Sequence, residues 1–464
     1  MPVVFTSLAW YKLCMNSTAP HSSSLTRRHF LQTATALATS AVAFPFVSSR
    51  NVLGANARLN IAAIGAGGKG RVDIGYCKAE NIVALCDVDQ RNAAASYKAF
   101  PDAKQFKDFR VMLEKAGKDI DAVTVSTPDH THFHAAAMAM KLGKHVYVQK
   151  PLTHTVWEAR TLTALAREKK IVTQMGNQGH SQPDSRRLVE LIRSGVLGDV
   201  KEVHIWTDRP IWPQGHARPA KAAVPETLDW DLWLGPAPWR DFHDGCVPFK
   251  WRAFWDFGTG ALGDMGCHNM DLAFFALDLR DPVAVEATSS GVNNETAPAW
   301  SIITHEFAKR GARAALKFTW YDGGKKPDPA LAKQPQLPGN GYILIGTKDT
   351  LYVPSYWGRG SFLSGAKMED FASVPQTLPR FPGADKDHDA AQHLEWIAAC
   401  KGEGKALANF DYAGPMTEAV LLGNVALRAG KRIEWDAENL RVTNAPEANQ
   451  FIRTEYRKGW ESPM

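Results

Sequence analysis

The sequence predicts an α/β protein in two parts. The first is an N-terminal Rossmann domain, a doubly wound parallel sheet. The second is a C-terminal α+β domain with an open, largely antiparallel sheet. Three observations carry this prediction. A short apolar run ends in a Gly-x-Gly-x-x-Gly turn at Gly65–Gly70 and leads into a helix-compatible stretch. Strand-like and helix-like segments then alternate up to about residue 180. From Val200 onward, strand-like runs follow one another at hairpin-scale gaps, which suits antiparallel pairing.

The 464 residues suit two or three domains at about 150 residues each. A content of 45% hydrophobic and 22% charged residues is ordinary for a globular chain. It excludes a disordered chain, a collagen-like chain, a small disulfide scaffold and a polytopic membrane protein. Half of the net charge of +6 comes from Lys12, Arg27 and Arg28, in a stretch without acids. The remainder is spread along the chain with no basic stripe, so nucleic acid is not an expected partner.

Residues 1–57 read as a leader and spacer. Arg27 and Arg28 precede Phe30-Leu31, and an apolar run rich in small residues extends to Val47 through an Ala41-Val42-Ala43 cleavage pattern. This resembles a twin-arginine export signal and predicts a periplasmic protein with no stable membrane insertion after processing. Beyond the leader, Cys77, Cys86, Cys246, Cys267 and Cys400 show no C-x-x-C spacing. They predict neither a disulfide framework nor a zinc site.

Residues 58–180 form the expected nucleotide domain. Leu59–Ile64 is apolar and β-branched, as in a buried parallel strand. The turn Gly65, Ala66, Gly67, Gly68, Lys69, Gly70 follows, then a helix, then the strand Ile82–Cys86 ending on Asp87. That is the full context of a dinucleotide fingerprint. Gly65 permits the tight turn, Gly67 the approach of the pyrophosphate, and Gly70 the close packing of helix on strand. The helix N-terminus offers free N–H groups to the phosphates. Asp87 can accept hydrogen bonds from a ribose 2′-hydroxyl and would repel a 2′-phosphate, which favours NAD over NADP. Two further strands end in Thr127-Pro128-Asp129-His130-Thr131-His132 and in Gln149-Lys150-Pro151. Both ends fall where open parallel sheets bind ligands.

These segments, with Gly260–Asp271, resemble the Gfo/Idh/MocA family of sugar-linked oxidoreductases over roughly residues 58–435. The resemblance implies that Lys150 lies beside nicotinamide and substrate. It maps the family's Asp and His to Asp264 and His268, so that Lys150, Asp264 and His268 form the catalytic polar cluster. Gln149 replaces a family Glu. Thr127, Pro128, His132, Gln149, Lys150 and Asn177 join the glycine turn and Asp87 as expected cofactor contacts. The resemblance also implies homo-oligomers paired through the open sheet. Apart from the family, Asp264, His268 and Asp271 at i, i+4 and i+7 predict one helix face. There an Asp can orient an imidazole and raise its basicity for proton removal from an alcohol. A cationic Lys150 can bond the developing oxyanion. A resident metal is not expected, because His268 has no second His or Cys at ligand spacing. His130, His132 and His134 follow a strand end instead.

Residues 181–385 are the expected substrate domain and residues 386–464 C-terminal helices that pack back on the body. Strands are predicted at Val200–Ile205, Val283–Thr288, Trp300–Phe307, Ala312–Tyr321 and Tyr342–Val353, with a Pro-rich loop over 322–341. Seven of the fifteen Trp lie between residues 206 and 255. Most are expected to pack an irregular insertion. Arg252 and Trp255, with His180 and Asp271, are the expected carbohydrate contacts, since aromatic faces beside polar donors suit sugar rings.

The function expected from these readings is NAD-dependent oxidation of a CH–OH group of a sugar or sugar derivative. An alternative is a glycoside hydrolase that recycles a tightly bound NAD, and a second is a sugar transhydrogenase. An exported enzyme has no ready supply of exchangeable NAD, so redox-neutral use of a retained cofactor is consistent with the leader. The intact Lys150, Asp264 and His268 argue against a non-catalytic sugar-binding module.

Overall fold

The computed structural model describes residues 58–464. The twin-arginine leader expected at 1–57 lies outside the described residues.

Six short strands form the first sheet: β1 (Asn60–Ile64), β2 (Asn81–Cys86), β3 (Lys104–Phe106), β4 (Ala122–Val125), β5 (His145–Gln149) and β6 (Thr173–Gly176). They are connected in turn by α1 (Gly68–Tyr76), α2 (Gln90–Ala99), α3 (Phe109–Ala116), α4 (Asp129–Lys141) and α5 (Val156–Lys169). The strand order is β3-β2-β1-β4-β5-β6 and every pair is parallel. Apolar residues buried on both faces of β1 and β4 explain why these runs do not alternate. The order reverses between β1 and β4, so a crevice opens beyond their carboxyl ends. Gly65 leaves one of those ends and Thr127 the other.

The second sheet follows α6 (Pro183–Arg193). It contains β7 (Val200–Trp206), β8 (Ala284–Ser289), β9 (Ser301–Phe307), β10 (Leu316–Tyr321), β11 (Gly341–Gly346), β12 (Thr350–Val353), β13 (Ser361–Phe362), β14 (Ile433–Asp436) and β15 (Arg441–Val442). The order is β13-β12-β11-β7-β10-β9-β8-β14-β15. Only β7 and β10 pair in parallel; the other neighbours are antiparallel. Strict alternation of buried and half-buried residues along β9 matches a sheet covered more fully on one face. The run expected at 342–353 is a hairpin of two strands, because Thr347–Asp349 makes a turn inside it.

Between β7 and β8 lie a long insertion with the short helix α7 (Trp230–Leu234), then α8 (Gly260–Asn269) and α9 (Asp271–Leu277). Trp212, Trp230, Trp233, Phe254 and Phe257 form the insertion's own small core, with Trp230 and Trp233 stacked at 4.8 Å. The main chain of the insertion is fastened to the end of β2. Gln90 N–H donates to the Thr227 carbonyl at 3.1 Å, and Asp229 N–H to the Val88 carbonyl at 2.9 Å.

The last helices, α10 (His388–Cys400) and α11 (Phe410–Ala429), return to the body. Helix α11 packs on α5, α8 and β8. Helix α10 covers the nucleotide domain. Trp396 and Ile397 are buried with Leu59, Ile61 and Tyr147. The Tyr147 hydroxyl donates to Gln392 Oε1 at 2.9 Å, and its ring stacks on His393 at 4.2 Å.

Candidate active site

The glycine turn is shaped by close approach. Gly65 has φ +80°, and a Cβ there would lie 2.6 Å from the Ser126 carbonyl oxygen. A Cβ on Gly70 would lie 1.7 Å from the Gly65 carbonyl oxygen, so α1 starts directly against the strand it leaves. The N-cap of α1, Gly67, makes no side-chain cap, which leaves N–H groups free for an anion. Asp87 closes the cradle: its Oδ2 accepts from Gly67 N–H at 2.8 Å and its Oδ1 from Asp89 N–H at 2.9 Å. Burial pushes the Asp87 carboxyl up, opposed by those two N–H donors. Open turn, uncapped helix and terminal carboxylate together fit a dinucleotide.

A cleft of about 550 Å³ runs from this cradle to the carboxyl ends of β4 and β5, a size typical of a cofactor or small-ligand site. Gly65, Gly67, Gly68, Lys69, Asp87, Thr127, Pro128, Gln149, Lys150, Arg252 and His268 all line it. Its outer wall comes from the insertion, through Trp233, Phe249 and Trp251. Ala66 is buried beneath the turn, and its carbonyl accepts from Ser96 Oγ at 2.6 Å.

Three charged groups meet on the inner wall. Lys150 Nζ donates to the Asp264 carbonyl oxygen at 2.7 Å and to its Oδ1 at 2.9 Å. Arg252 Nε donates to the same Oδ1 at 2.9 Å. Burial raises the Asp264 carboxyl, but the two cations outweigh it and hold the group well below the usual carboxylate range. His268 lies one helical turn further along α8. Among the described residues it makes no hydrogen bond with Asp264, whose Oδ1 is drawn to Lys150 and Arg252 instead. Its Nδ1 is buried without a partner. Burial, reinforced by the Lys150 charge, lowers the imidazole to about 3. The expectation that Asp264 would orient His268 and make it more basic is therefore corrected. Here His268 is a neutral ring.

The face expected to carry Asp264, His268 and Asp271 is also interrupted. Helix α8 ends at Asn269, and Asp271 opens α9. Asp271 turns into a buried cluster away from the cleft. Its Oδ1 accepts from Asn177 Nδ2 at 2.6 Å and from Tyr412 Oη at 2.7 Å, and it lies 2.9 Å from His180 Nδ1. Asn177, His180 and Asp271 are thus brought together with each other, not with the cleft lining. Trp255 points elsewhere as well. Its Nε1 donates to the Asn293 carbonyl, and its ring lines a separate small cavity with His154 and Arg428. His132 is a brace: its two nitrogens lie 2.8 Å from the carbonyls of Thr127 and Pro151 and join the two strand ends. His130 and His134 also bond main-chain carbonyls.

Asp73, to which the sequence pattern assigns no role, is a buried hub behind the cleft lining, bonded to Lys69, Ser126 and Gln149. It is fully buried in α1. Its Oδ2 accepts from Ser126 Oγ at 2.6 Å and from Gln149 Nε2 at 2.9 Å, and its Oδ1 lies 3.0 Å from Lys69 Nζ. His393 Nε2 of α10 is 3.5 Å away, and Lys69 also pairs with Asp389 of α10 at 2.6 Å. Asp73, Asp389 and His393 are close enough to hold an ion, but the Lys69 ammonium already bridges the two carboxylates. Burial pushes Asp73 up, yet His393, Lys69 and Ser126 outweigh it and bring it to about 2.

This hub explains Gln149. A Glu there would set a second carboxylate against an already ionised one. Gln149→Glu is expected to raise the new carboxyl, and each unit of rise costs about 1.4 kcal/mol. A raised acid loses stability as pH climbs above its unfolded value of about 4.3. The variant should therefore melt close to wild type near pH 4 and at a lower temperature than wild type at pH 7. Equal melting temperatures at both pH values would refute the account.

Comparison with known proteins agrees with this architecture. Residues 59–177 match the model of an oxidoreductase family with an NAD-binding Rossmann fold, and residues 182–323 match the model of that family's C-terminal alpha/beta domain. The chain is 26% identical to the D-glucoside 3-dehydrogenase of Escherichia coli K12 over 235 residues, 50% of this chain and 57% of that protein. It is 25% identical to the levoglucosan dehydrogenase of Pseudarthrobacter phenanthrenivorans over 190 residues, 41% of this chain and 40% of that protein. Alignments with these and similar curated relatives span 26% to 57% of their lengths. In fold, the chain is similar to the WlbA dehydrogenase of Bordetella pertussis, solved with NADH and UDP-GlcNAcA. The TM-score is 0.58 at 16% identity, covering 82% of this chain and 99% of that one. The two matched models are consecutive and cover more than half of the chain, and the glycine cradle and the strands β7, β8, β9 and β10 of the second sheet fall within them; the chain belongs to the Gfo/Idh/MocA family of oxidoreductases.

Proposed function

We propose that the protein is an NAD-dependent oxidoreductase acting on a CH–OH group of a sugar or sugar derivative. The observation that carries this reading is that one cleft joins the dinucleotide cradle to the Lys150–Asp264–Arg252 cluster. Bound NAD supplies the two-electron acceptor. Lys150 is held by Asp264 as an ammonium and presents a donor to the oxygen of the reacting carbinol, where negative charge develops. Arg252 is shared between that carboxylate and the cleft, and it positions hydroxyls beside the apolar wall of Trp233, Phe249 and Trp251. His268 is a neutral hydrogen-bonding partner. Asp87 supports NAD over NADP, because an anion at that position disfavours a 2′-phosphate.

A second reading has its own support. The main-chain bridges from Thr227 and Asp229 to the end of β2 lay the insertion beside the nucleotide end of the cleft. A retained NAD suits a redox-neutral cycle in a protein exported by the twin-arginine route. The cycle is either glycoside hydrolysis or transhydrogenation between two sugars. In hydrolysis, oxidation of one ring hydroxyl acidifies the neighbouring C–H. The aglycone leaves by elimination, water adds, and the carbonyl is reduced again.

The test is direct. The purified protein is analysed for co-purified dinucleotide, then offered free sugars and aryl glycosides with and without added NAD. Build-up of NADH with a free sugar is expected for the dehydrogenase. Aglycone release without added cofactor or net NADH would transfer the assignment to the hydrolase.

A further inference from the structure

Asp129 opens α4 immediately after Thr127-Pro128, at the carboxyl edge of β4. Its side chain is only 4% exposed, yet it lines the cleft beside Lys150 and Arg252. Oδ2 accepts from Thr259 Oγ1 at 2.7 Å. Thr259 is the residue before α8, so Asp129 is tied to the start of the helix that carries Asp264 and His268. Among the described residues no donor bonds its other oxygen, Oδ1. His130, next to it, is turned away onto the carbonyls of Phe257 and Trp233.

The neighbouring groups are poorly suited to exchanging a proton. Asp264 is locked as an anion by two cations on one oxygen. His268 has been lowered to about 3, so it holds a proton weakly. Lys150 is occupied on Asp264 as an ammonium. Asp129 differs from all three. Burial raises it to about 7; Asp264 adds to the rise, while Thr259, Arg252 and Lys150 oppose it. Two carboxyl groups driven apart by their surroundings are the usual mark of divided proton duties, and a group poised near working pH transfers protons best.

We propose that Asp129 is the proton-exchanging catalytic residue of this site, receiving the hydroxyl proton of the sugar as its carbinol carbon is oxidised. The assignment rests on the functional reading above. In the forward direction the sugar O–H bond breaks, and its proton forms the carboxylic acid at Asp129 Oδ1. The O–H electron pair becomes the second bond of the new C=O. The C–H pair leaves to NAD, which is reduced. Lys150 stabilises the oxygen throughout and keeps its own protons. In the reverse direction Asp129 returns the proton to the oxygen. One carboxyl thus serves both halves of a redox-neutral cycle.

Asp129→Asn preserves shape and the contact with Thr259 but cannot carry the proton. In the NAD-loaded protein it is expected to lower sugar turnover by about 10²–10⁴-fold, with dinucleotide content and melting temperature unchanged. Thr259→Val removes a donor that favours the anion. It is expected to move the ionisation seen in kcat/KM to higher pH while the protein stays active. A second readout does not depend on turnover. Difference infrared spectra should show a carboxylic-acid C=O band titrating near neutral pH. Burial also raises Glu158 to about 7 and Asp322 to about 6, so Asp129 is read as the part of the band that Asp129→Asn removes and that Thr259→Val shifts upward in pH. If wild type turns over sugar and Asp129→Asn does so equally, the assignment fails while the functional reading stands. If wild type oxidises no sugar, the functional reading fails, and the infrared band still decides whether Asp129 titrates there. A spectrum that loses no part of the band in folded Asp129→Asn overturns the assignment, and where Asp129→Asn fails to fold, an unmoved ionisation in Thr259→Val does so.

Discussion

Lys150→Met is expected to lower turnover by about 10²–10³-fold, the range seen when a single oxyanion donor is removed, while dinucleotide remains bound. Met keeps much of the length and apolar stem of Lys and loses only the charge and the donors. The glycine turn and its bond to Asp87 are made without Lys150, which stands in the same cleft. Asp264 keeps Arg252 at 2.9 Å, so the buried carboxylate retains one cation. Loss of the other still removes part of a buried pair, and such losses cost up to about 3–5 kcal/mol when no cation remains. Dinucleotide stoichiometry and melting temperature should therefore be measured beside kcat. A variant that has lost its NAD would place Lys150 among the cofactor-binding residues. A variant with wild-type turnover would remove it from the chemistry altogether.

Gly70→Ala is expected to abolish dinucleotide retention. The added methyl would stand 1.7 Å from the Gly65 carbonyl oxygen, a main-chain atom with no freedom to turn aside. Relief requires α1 to move off β1. Overpacking of this kind typically costs about 1–3 kcal/mol, and the displaced helix takes its N–H groups away from the phosphates. Gly75→Ala, later in the same helix, is the matched control. A Cβ there meets nothing within 4 Å, and Ala is better than Gly in a helix by about 1 kcal/mol. Calorimetric titration with NAD should separate the two: no measurable binding for Gly70→Ala, and wild-type affinity with a higher melting temperature for Gly75→Ala. Comparable affinity in both variants would contradict the packing argument.

The nucleotide half was legible because local chemistry decides it. Strand, glycine turn, helix and terminal acid are all set by neighbours in sequence, and Gly65, Gly70 and Asp87 lie as that pattern requires. The inner wall was less legible, because contacts between distant segments decide it. Asp264 and His268 are one helical turn apart, which suggested a pair. Lys150 is 114 residues away from Asp264 and Arg252 comes from the insertion, yet these two take the carboxylate. Spacing along α8 could not weigh those competitors. The i, i+4, i+7 spacing puts Asp271 on the same helix face; the break at Met270 turns it towards Asn177 and His180 instead. Asp73 was hidden for a similar reason. Its partners Gln149 and His393 are remote in sequence, and the one available hint was the Gln in place of an acid before Lys150. Asp129 stood in plain view within Thr127-Pro128-Asp129, but its burial depends on Thr259 and the insertion.

The docking of α10 also sets the order of events in synthesis. Asp389, Gln392, His393 and Trp396 complete the back of a sheet whose first strand begins at Asn60. A ribosome must therefore make more than three hundred further residues before the first domain can close. Until then Asp73 lacks His393, Lys69 lacks Asp389, and β1 and Tyr147 lack the apolar cover of Trp396. A product truncated before α10 would leave that apolar face uncovered and those buried charges without their partners.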